Sequence, residues 1–247
     1  MDAARLLGVL MSSGKFSGFV LSSLPISDSR HLVTLYTAED GKCKGVLRVG
    51  KQHPRAYLMP LNWLEFQLSG REGQDLRTMN QVTMRRSVFN WSSDYMGLCL
   101  AQHWAELISR SQGEHQRDEG VFRLLQHSLE AVAVPSKDDS IALKNLYFET
   151  WLLHFCGAIA RVRKADDLLP ALGAYRQSYD TELQQQLGGA MARLFQQRIE
   201  QFAGHAVECE ALTRIFGLVG EMWQLFLDAP VKVRPTLIEL FKQRRFL

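Results

Sequence analysis

The sequence predicts an α+β protein of two domains, a small N-terminal β-barrel of the OB-fold type followed by an all-α helical domain. Short runs of β-branched and aromatic residues, separated by turn residues, fill most of the first 90 positions. After about residue 91, apolar residues recur at helical spacing instead. We therefore predict an N-terminal extension over residues 1–15, the OB-fold domain over 16–90 and the helical domain over 91–247.

The overall composition agrees with a folded chain. Hydrophobic residues make up 46% of the 247 residues and charged residues 22%, which is typical of globular proteins and argues against disorder. A chain of this length can form one large domain or two small ones, so the predicted division is reasonable.

Five or so short strands are predicted before residue 90, and a barrel of five strands is the OB-fold architecture. The tetrapeptide Ala38–Gly41 supplies a hairpin turn, because Gly41 can take a positive φ. Apolar and polar residues alternate strictly from Trp63 to Leu68, as in a half-buried strand. The predicted strands are Phe19–Leu21, His31–Thr37, Lys42–Val49, Trp63–Leu68 and Leu76–Met84.

Six helices are predicted in the second domain. The second of them must end before Pro135, and Pro235 opens the last, which is short and basic. The expected N-terminal caps are Ser92 or Ser93, Ser140 and Asp180. The residues expected to face inward include Tyr95, Leu98, Leu124, Leu143, Leu146, Leu153, Leu187, Trp223 and Phe226.

The cysteines and the lengths of the apolar runs indicate the cellular compartment of the protein. Cys43, Cys99, Cys156 and Cys209 stand alone, which gives no support for a disulfide framework or a tetrahedral zinc site. No apolar run approaches the roughly 18 residues needed to cross a bilayer. The first residues lack the basic region and the cleavage site of a signal peptide. The sequence predicts a protein of the reducing cytoplasm with no membrane attachment.

Common catalytic motifs do not occur in the sequence. It contains no GxSxG, HExxH, P-loop or GxGxxG pattern, and its seven histidines never fall at metal-ligand spacing with one another. His154 and Cys156 would point roughly 200° apart on a helix, which favours a core histidine over a catalytic pair. We expect no enzyme activity, no catalytic residue, no metal site and no cofactor.

Cationic residues are the most informative feature. Residues 1–90 carry a net charge of +5, residues 91–229 carry −6 and residues 230–247 carry +4, which indicates an anionic partner for the two ends. Even spacing places three cations on one face of a predicted strand, and three more follow in the next loop. These residues are Lys42, Lys44, Arg48, Lys51, His53 and Arg55. Such a stripe is typical of a nucleic-acid backbone site, and a merely solvated strand face is the alternative.

Several short motifs follow one another along the chain, at Gly18–Leu21, Asp28–Thr37, Gly41–Lys42, Val49–Lys51, Leu58–Trp63, Ala142–Lys144, Phe148–Leu153 and Lys242–Leu247. Their order and spacing resemble the bacterial recombination-mediator family RecO. The likeness is firm to about residue 90 and looser beyond it. Two departures are visible: Ala158 to Arg198 holds no cysteine, where many members carry a four-cysteine zinc module, and the cation of the "K-G-x-R" loop is shifted to Lys51.

The resemblance implies a DNA-binding mediator of homologous-recombination repair. Members bind single- and double-stranded DNA, anneal complementary strands and help to load recombinase on strands coated by single-strand-binding protein. The implied partners are the C-terminal tail of single-strand-binding protein, RecR and, in some organisms, RecF. The implied location is the cytoplasm, in association with the nucleoid.

Two groups of site residues follow. We expect DNA to contact the cations Arg30, Lys42, Lys44, Arg48, Lys51, His53, Arg55, Lys242, Arg244 and Arg245. The last three can instead complement the dipole of the final helix. The tail of single-strand-binding protein would enter an apolar groove with a cation at its mouth, formed by Lys144, Phe148, Trp151 and Leu152. The alternative is that these residues pack against neighbouring helices.

Two other functions stay open from the sequence. An OB-fold module serving RNA, such as a tRNA-binding accessory protein, would show preference for RNA through contacts to 2′-hydroxyls. An enzyme with a site assembled from distant residues would show hydrolysis or transfer activity in the purified protein.

Overall fold

A computed structural model describes residues 14–70, 76–88, 94–133, 141–168, 181–199 and 209–243. The chain forms two compact units. The first, called the barrel unit below, contains the described residues up to Val88 together with Ala105–Phe122. The second, the helical unit, contains Asp94–Trp104 and the described residues from Arg123 onward.

The barrel unit contains a closed barrel of five strands in the order β1-β2-β3-β5-β4. All neighbouring strands are antiparallel except β3 and β5, which are parallel. The predicted OB-type barrel is confirmed, because an OB-fold is a five-stranded Greek-key barrel. The strands are β1 (Gly14–Ser27), β2 (Arg30–Thr37), β3 (Gly41–Arg48), β4 (Trp63–Ser69) and β5 (Arg77–Arg86).

Successive side chains of β3 point alternately into the barrel and to its outer face. Cys43 and Leu47 are buried, whereas Lys42, Lys44 and Arg48 lie on the outer face, as predicted. Burial raises the pKa of the Cys43 thiol to about 12, so this thiol is held in its neutral form. The buried core is formed by Val20, Val33, Leu35, Cys43, Leu47, Leu58, Leu64, Phe66, Leu68, Met79 and Val82.

The turn between β2 and β3 has the predicted form. Gly41 adopts a φ of 65°, in the left-handed region that favours glycine. The Thr37 hydroxyl accepts a hydrogen bond from the Asp40 amide at 3.0 Å and donates one to the Gly41 carbonyl at 3.1 Å. A Cβ atom added at Gly41 would lie 2.0 Å from the Gln116 carbonyl oxygen, so no larger residue fits here.

Helices make up most of the rest of the described chain, which confirms the predicted all-α region. They are α1 (Tyr95–Ser111), α2 (Glu119–Ala133), α3 (Ile141–Phe155), α4 (Thr181–Gln196), α5 (Cys209–Leu227) and α6 (Arg234–Gln243). Within the described residues, no helix is both long enough and apolar enough to cross a membrane.

Three details at helix ends differ from the prediction. The Asp94 carboxylate caps α1 by accepting a hydrogen bond from the Gly97 amide at 2.7 Å, whereas we predicted a cap at Ser92 or Ser93. Tyr95 is 63% exposed rather than inward, because the buried face of α1 begins one residue later. Phe226, near the end of α5, is 39% exposed. The predicted caps Ser92, Ser93, Ser140 and Asp180 lie outside the described residues.

A cluster of buried polar side chains lies at the centre of the helical unit. Glu149 is fully buried; its Oε1 lies 2.6 Å from His103 Nε2 and accepts a hydrogen bond from Asn145 at 3.0 Å. Arg234 Nη2 donates to Glu149 Oε2 at 3.1 Å, which ties α6 to α3. Burial by itself raises the pKa of Glu149, but the charge of Arg234 and the hydrogen bond of His103 outweigh burial and hold that pKa at about 2.

Candidate nucleic-acid interface

An open cleft lies on the outer face of the barrel, where β3 and β5 come together for a short distance. The two strands pair only at Gly45 with Arg77 and at Val46 with Thr78. Beyond these pairs the cleft has a volume of about 720 Å³. Its lining includes Arg30, Arg48, Lys51, Gln52, His53, Thr78, Asn80 and Gln81. Four of the cations expected to contact DNA therefore meet at one site.

Arg30 and Arg48 are the central pair of this cleft. They lie directly opposite each other across β2 and β3, and both are exposed. Like charges in directly opposed positions destabilise a sheet. Neither arginine forms an ion pair with another described residue. The arrangement therefore favours an anion bound between the two guanidinium groups, since a phosphate can accept hydrogen bonds from both.

The loop after β3 brings two more cations to the cleft. The Val49 amide donates to the Ser29 carbonyl at 2.8 Å, and the Gly50 amide donates to the His53 carbonyl at 3.0 Å. These bonds fold the loop back toward the turn between β1 and β2 and leave Lys51 exposed at the rim. The shifted cation of this loop is thus still part of the cationic cleft.

Arg55 and Tyr57 lie nearby but outside the cleft lining, on the short 3₁₀ helix Arg55–Leu58. Arg55 is exposed. Tyr57 is half-buried, packs against the barrel core and meets the His53 ring edge-on at 6.4 Å between centroids. This tyrosine therefore forms part of the rim of the barrel core.

A β-bulge in β5 supplies two lining residues that sequence reasoning missed. Glu65 pairs with Thr83, but Gln67 pairs with Asn80, so β5 contains one extra residue between these pairs. Gln81 takes a φ of 50° there, which is uncommon for a residue other than glycine. Asn80 and Gln81 consequently both face outward. The available signal was the spacing of three between the apolar residues Met79 and Val82, which breaks the strand period.

The other end of the predicted cationic stripe is already occupied by the chain itself. Lys42 Nζ donates to the Ser109 carbonyl at 2.8 Å, and burial lowers the pKa of Lys42. Lys44 forms an ion pair with Glu114. The hydrogen bond and charge of Lys44 lower the pKa of Glu114. The stripe on β3 is therefore divided into an open part at Arg48 and a neutralised part at Lys42 and Lys44.

The expected cations at the end of the chain lie on or after α6. Lys242 is exposed and pairs with Glu239 at 2.9 Å on the same helix. Arg244 and Arg245 lie outside the described residues. Their contact with DNA stays a prediction.

The expected partner groove on α3 needs a correction. Phe148 and Leu152 are fully buried, so the expectation that they lie off the inward face is wrong. Lys144 is 7% exposed and donates to the Ala131 carbonyl at 2.9 Å, and it does not stand at the mouth of a groove. Half-buried Trp151 donates to the Leu194 carbonyl at 3.1 Å. The expected groove does not form because α3 is apolar on nearly all sides and is therefore buried on nearly all sides.

The polar lining of the cleft can bind an anion. It consists of the cations Arg30, Arg48 and Lys51, the His53 imidazole, three amides and one hydroxyl, and among the described residues it contains no carboxylate. In the part of the chain that the structure describes, no three histidine, cysteine or acidic residues are grouped as metal ligands.

Comparison with known proteins agrees with this architecture. The family model "Recombination protein O N terminal" matches residues 11–88, and "Recombination protein O C terminal" matches residues 92–165. Together the two matches cover well over half of the chain. The chain belongs to the RecO family. The first match spans the strands of the barrel and the second spans α1 to α3, so the resemblance read from short motifs is confirmed.

Several curated relatives carry the name "DNA repair protein RecO". The protein of Koribacter versatilis is 29% identical over 141 residues, which is 56% of each chain. The protein of Anaeromyxobacter dehalogenans is 30% identical over 125 residues, which is 49% of each chain. That of Symbiobacterium thermophilum is 29% identical over 142 residues, 57% of this chain and 55% of the relative. The chain thus spans about half the length of the RecO relatives it matches.

Proposed function

We propose that the chain is a DNA repair protein that binds DNA in the barrel cleft and mediates strand annealing in homologous recombination. The observation that carries the proposal is the pair Arg30 and Arg48, which oppose each other at the cleft without an acidic partner among the described residues. Family membership supports the repair role, since the relatives are named for it.

The cleft suits a nucleic-acid backbone for electrostatic reasons. Phosphates are repelled by one another, so two strands come together only where cations offset the repulsion. Arg30, Arg48 and Lys51 supply three positive charges within one cleft. Asn80 and Gln81 add amide groups that can hydrogen-bond sugars, phosphates or base edges. Because annealing makes and breaks no covalent bond, this role needs no catalytic group.

The proposed role in recombination also involves further DNA contacts and protein partners. In our proposal the chain binds both single- and double-stranded DNA, with Arg55, Lys242, Arg244 and Arg245 as further contacts. It acts at the nucleoid with single-strand-binding protein, RecR and, in some organisms, RecF, and it helps recombinase to replace single-strand-binding protein. These partners do not enter a groove at Lys144, because Lys144, Phe148 and Leu152 are buried.

A strand-annealing assay tests this function. Complementary oligonucleotides, bare or coated with single-strand-binding protein, are mixed with the parent protein or with the double variant Arg30→Ala/Arg48→Ala. We expect the parent to accelerate annealing and the double variant to lose about tenfold or more of that rate, since two charge-assisted contacts are removed. Arg85→Ala is the control, because Arg85 pairs with Glu65 on the same barrel outside the cleft lining.

Two results would contradict the proposal. One is a parent protein that does not accelerate annealing of either bare or coated strands. The other is a strong preference for RNA over DNA of the same sequence, which would favour an accessory role in RNA metabolism.

A further inference from the structure

The segment between α1 and α2, residues 112–118, runs along the hairpin of β2 and β3 within the barrel unit. Glu114 and Lys42 form a parallel β-bridge, and the His115 amide donates to the Lys42 carbonyl at 2.8 Å. The close approach of Gln116 to Gly41 packs the segment against the turn. We call residues 112–118 the covering segment.

Backbone contacts and the His115 side chain hold the covering segment in place. The bridge at Lys42 and the packing at Gly41 do not involve the Glu114 carboxylate. His115 adds a side-chain contact, with its Nδ1 at 2.9 Å from Asp40 Oδ2. The ion pair of Lys44 and Glu114 is exposed, at 37% and 50% for the two side chains. Exposed ion pairs contribute little to stability, so folding does not require the Glu114 carboxylate.

The position of that carboxylate matters for the interface. Lys44 lies on the same outer face of β3 as Arg48, four residues away, which is roughly 13 Å along a strand. A nucleic-acid strand that extends from the cleft along β3 would reach Lys44 next. Glu114 already accepts the hydrogen bond that a phosphate oxygen would accept from Lys44. Its negative charge also repels an approaching phosphate.

We propose that Glu114 is a built-in competitor of the nucleic-acid backbone, which neutralises Lys44 and restricts tight binding to the Arg48 end of the stripe. This inference rests on the proposed function, and it adds a restraint on how strongly bare strands are held. Such a restraint suits a protein that must release the strands it brings together.

The test is a double-mutant cycle on Glu114 and Lys44, measured by fluorescence anisotropy with a labelled oligothymidylate over a range of salt concentrations. We expect Glu114→Gln to bind about fivefold tighter at low salt, since a like charge beside a phosphate is removed. The dependence of log affinity on log salt should become steeper by about 0.7, because one more phosphate is neutralised. Lys44→Ala should change the affinity of the parent little. Combined with Glu114→Gln, it should abolish the increase in affinity that Glu114→Gln causes.

Glu65→Gln is the charge-matched control, since it frees Arg85 from an exposed ion pair elsewhere on the barrel. Equal affinities of Glu114→Gln and Glu65→Gln would overturn the inference. The inference would also be overturned if Lys44→Ala lowered the affinity for the oligothymidylate by the same factor in the parent and in the Glu114→Gln protein. If Arg30→Ala/Arg48→Ala still weakens binding in that case, the proposed function stands without the competitor. If that double variant also binds normally, both proposals fail.

Discussion

Arg30 and Arg48 in the barrel unit and Arg234 in the helical unit carry the same side chain in opposite surroundings. The first two are exposed, oppose each other and have no acidic partner among the described residues. Arg234 is 8% exposed and donates to the fully buried Glu149 and to the Phe216 carbonyl. A guanidinium whose Nε and Nη2 donate to buried acceptors maintains the fold. Two arginines that face each other at a cleft without a described acidic partner are available to a ligand.

The largest effect is expected at Arg234. Arg234→Ala leaves Glu149 charged and buried without its main partner, which should lower the free energy of unfolding by about 3–5 kcal/mol. Thermal or urea unfolding followed by circular dichroism measures this loss. Lys242→Ala on the same helix is the control, and because its ion pair with Glu239 is exposed, it should change stability by less than about 1 kcal/mol.

Gly220 lies against the buried Arg234 side chain and gives a second test of its structural role. Alanine normally stabilises a helix relative to glycine by about 1 kcal/mol. At Gly220, however, an added Cβ would lie 2.2 Å from Arg234 Nη1, so Gly220→Ala should destabilise the protein. A more stable Gly220→Ala variant, or an unchanged unfolding midpoint for Arg234→Ala, would show that the buried cluster is not what holds α6.

A smaller effect is expected from the bulge in β5. The double variant Asn80→Ala/Gln81→Ala should weaken binding of a single-stranded oligonucleotide by about fivefold, because two neutral hydrogen bonds at about 0.5 kcal/mol each, the low end of their usual contribution, amount to about 1 kcal/mol. The slope against salt should stay the same, since no charge is removed. Gln102→Ala, an exposed amide on α1, is the control. Unchanged affinity in the double variant would limit the interface to the cations.

The strands were predictable from local sequence. Apolar and polar residues alternate from Trp63 to Leu68 because one face of this strand is buried. Gly41 marks the turn because few other residues tolerate its φ. The even spacing of Lys42, Lys44 and Arg48 correctly placed them on one face of β3. The outline of the barrel and the candidate face are therefore local properties of the chain.

What the sequence could not supply were contacts between distant residues. The opposition of Arg30 and Arg48 depends on the register of two strands, and the neutralisation of Lys44 depends on Glu114, which is 70 residues away in sequence. The interpretation of Lys144 failed for a related reason. A lysine early in an apolar helix can mark either a groove or an interior hydrogen bond, and only the packing of the surrounding helices decides between them.

The central claim is that Arg30 and Arg48 hold phosphates in the barrel cleft. Its most direct test is the affinity of the full chain for a labelled oligothymidylate as a function of salt, in the parent, in Arg30→Ala/Arg48→Ala and in Arg85→Ala. For single strands the slope falls by about 0.7 for each phosphate that the protein no longer neutralises. We predict a slope shallower by about 1.4 in the double variant, since two phosphates are released, and an unchanged slope in Arg85→Ala. Parallel salt dependences with equal affinities in all three proteins would contradict the claim.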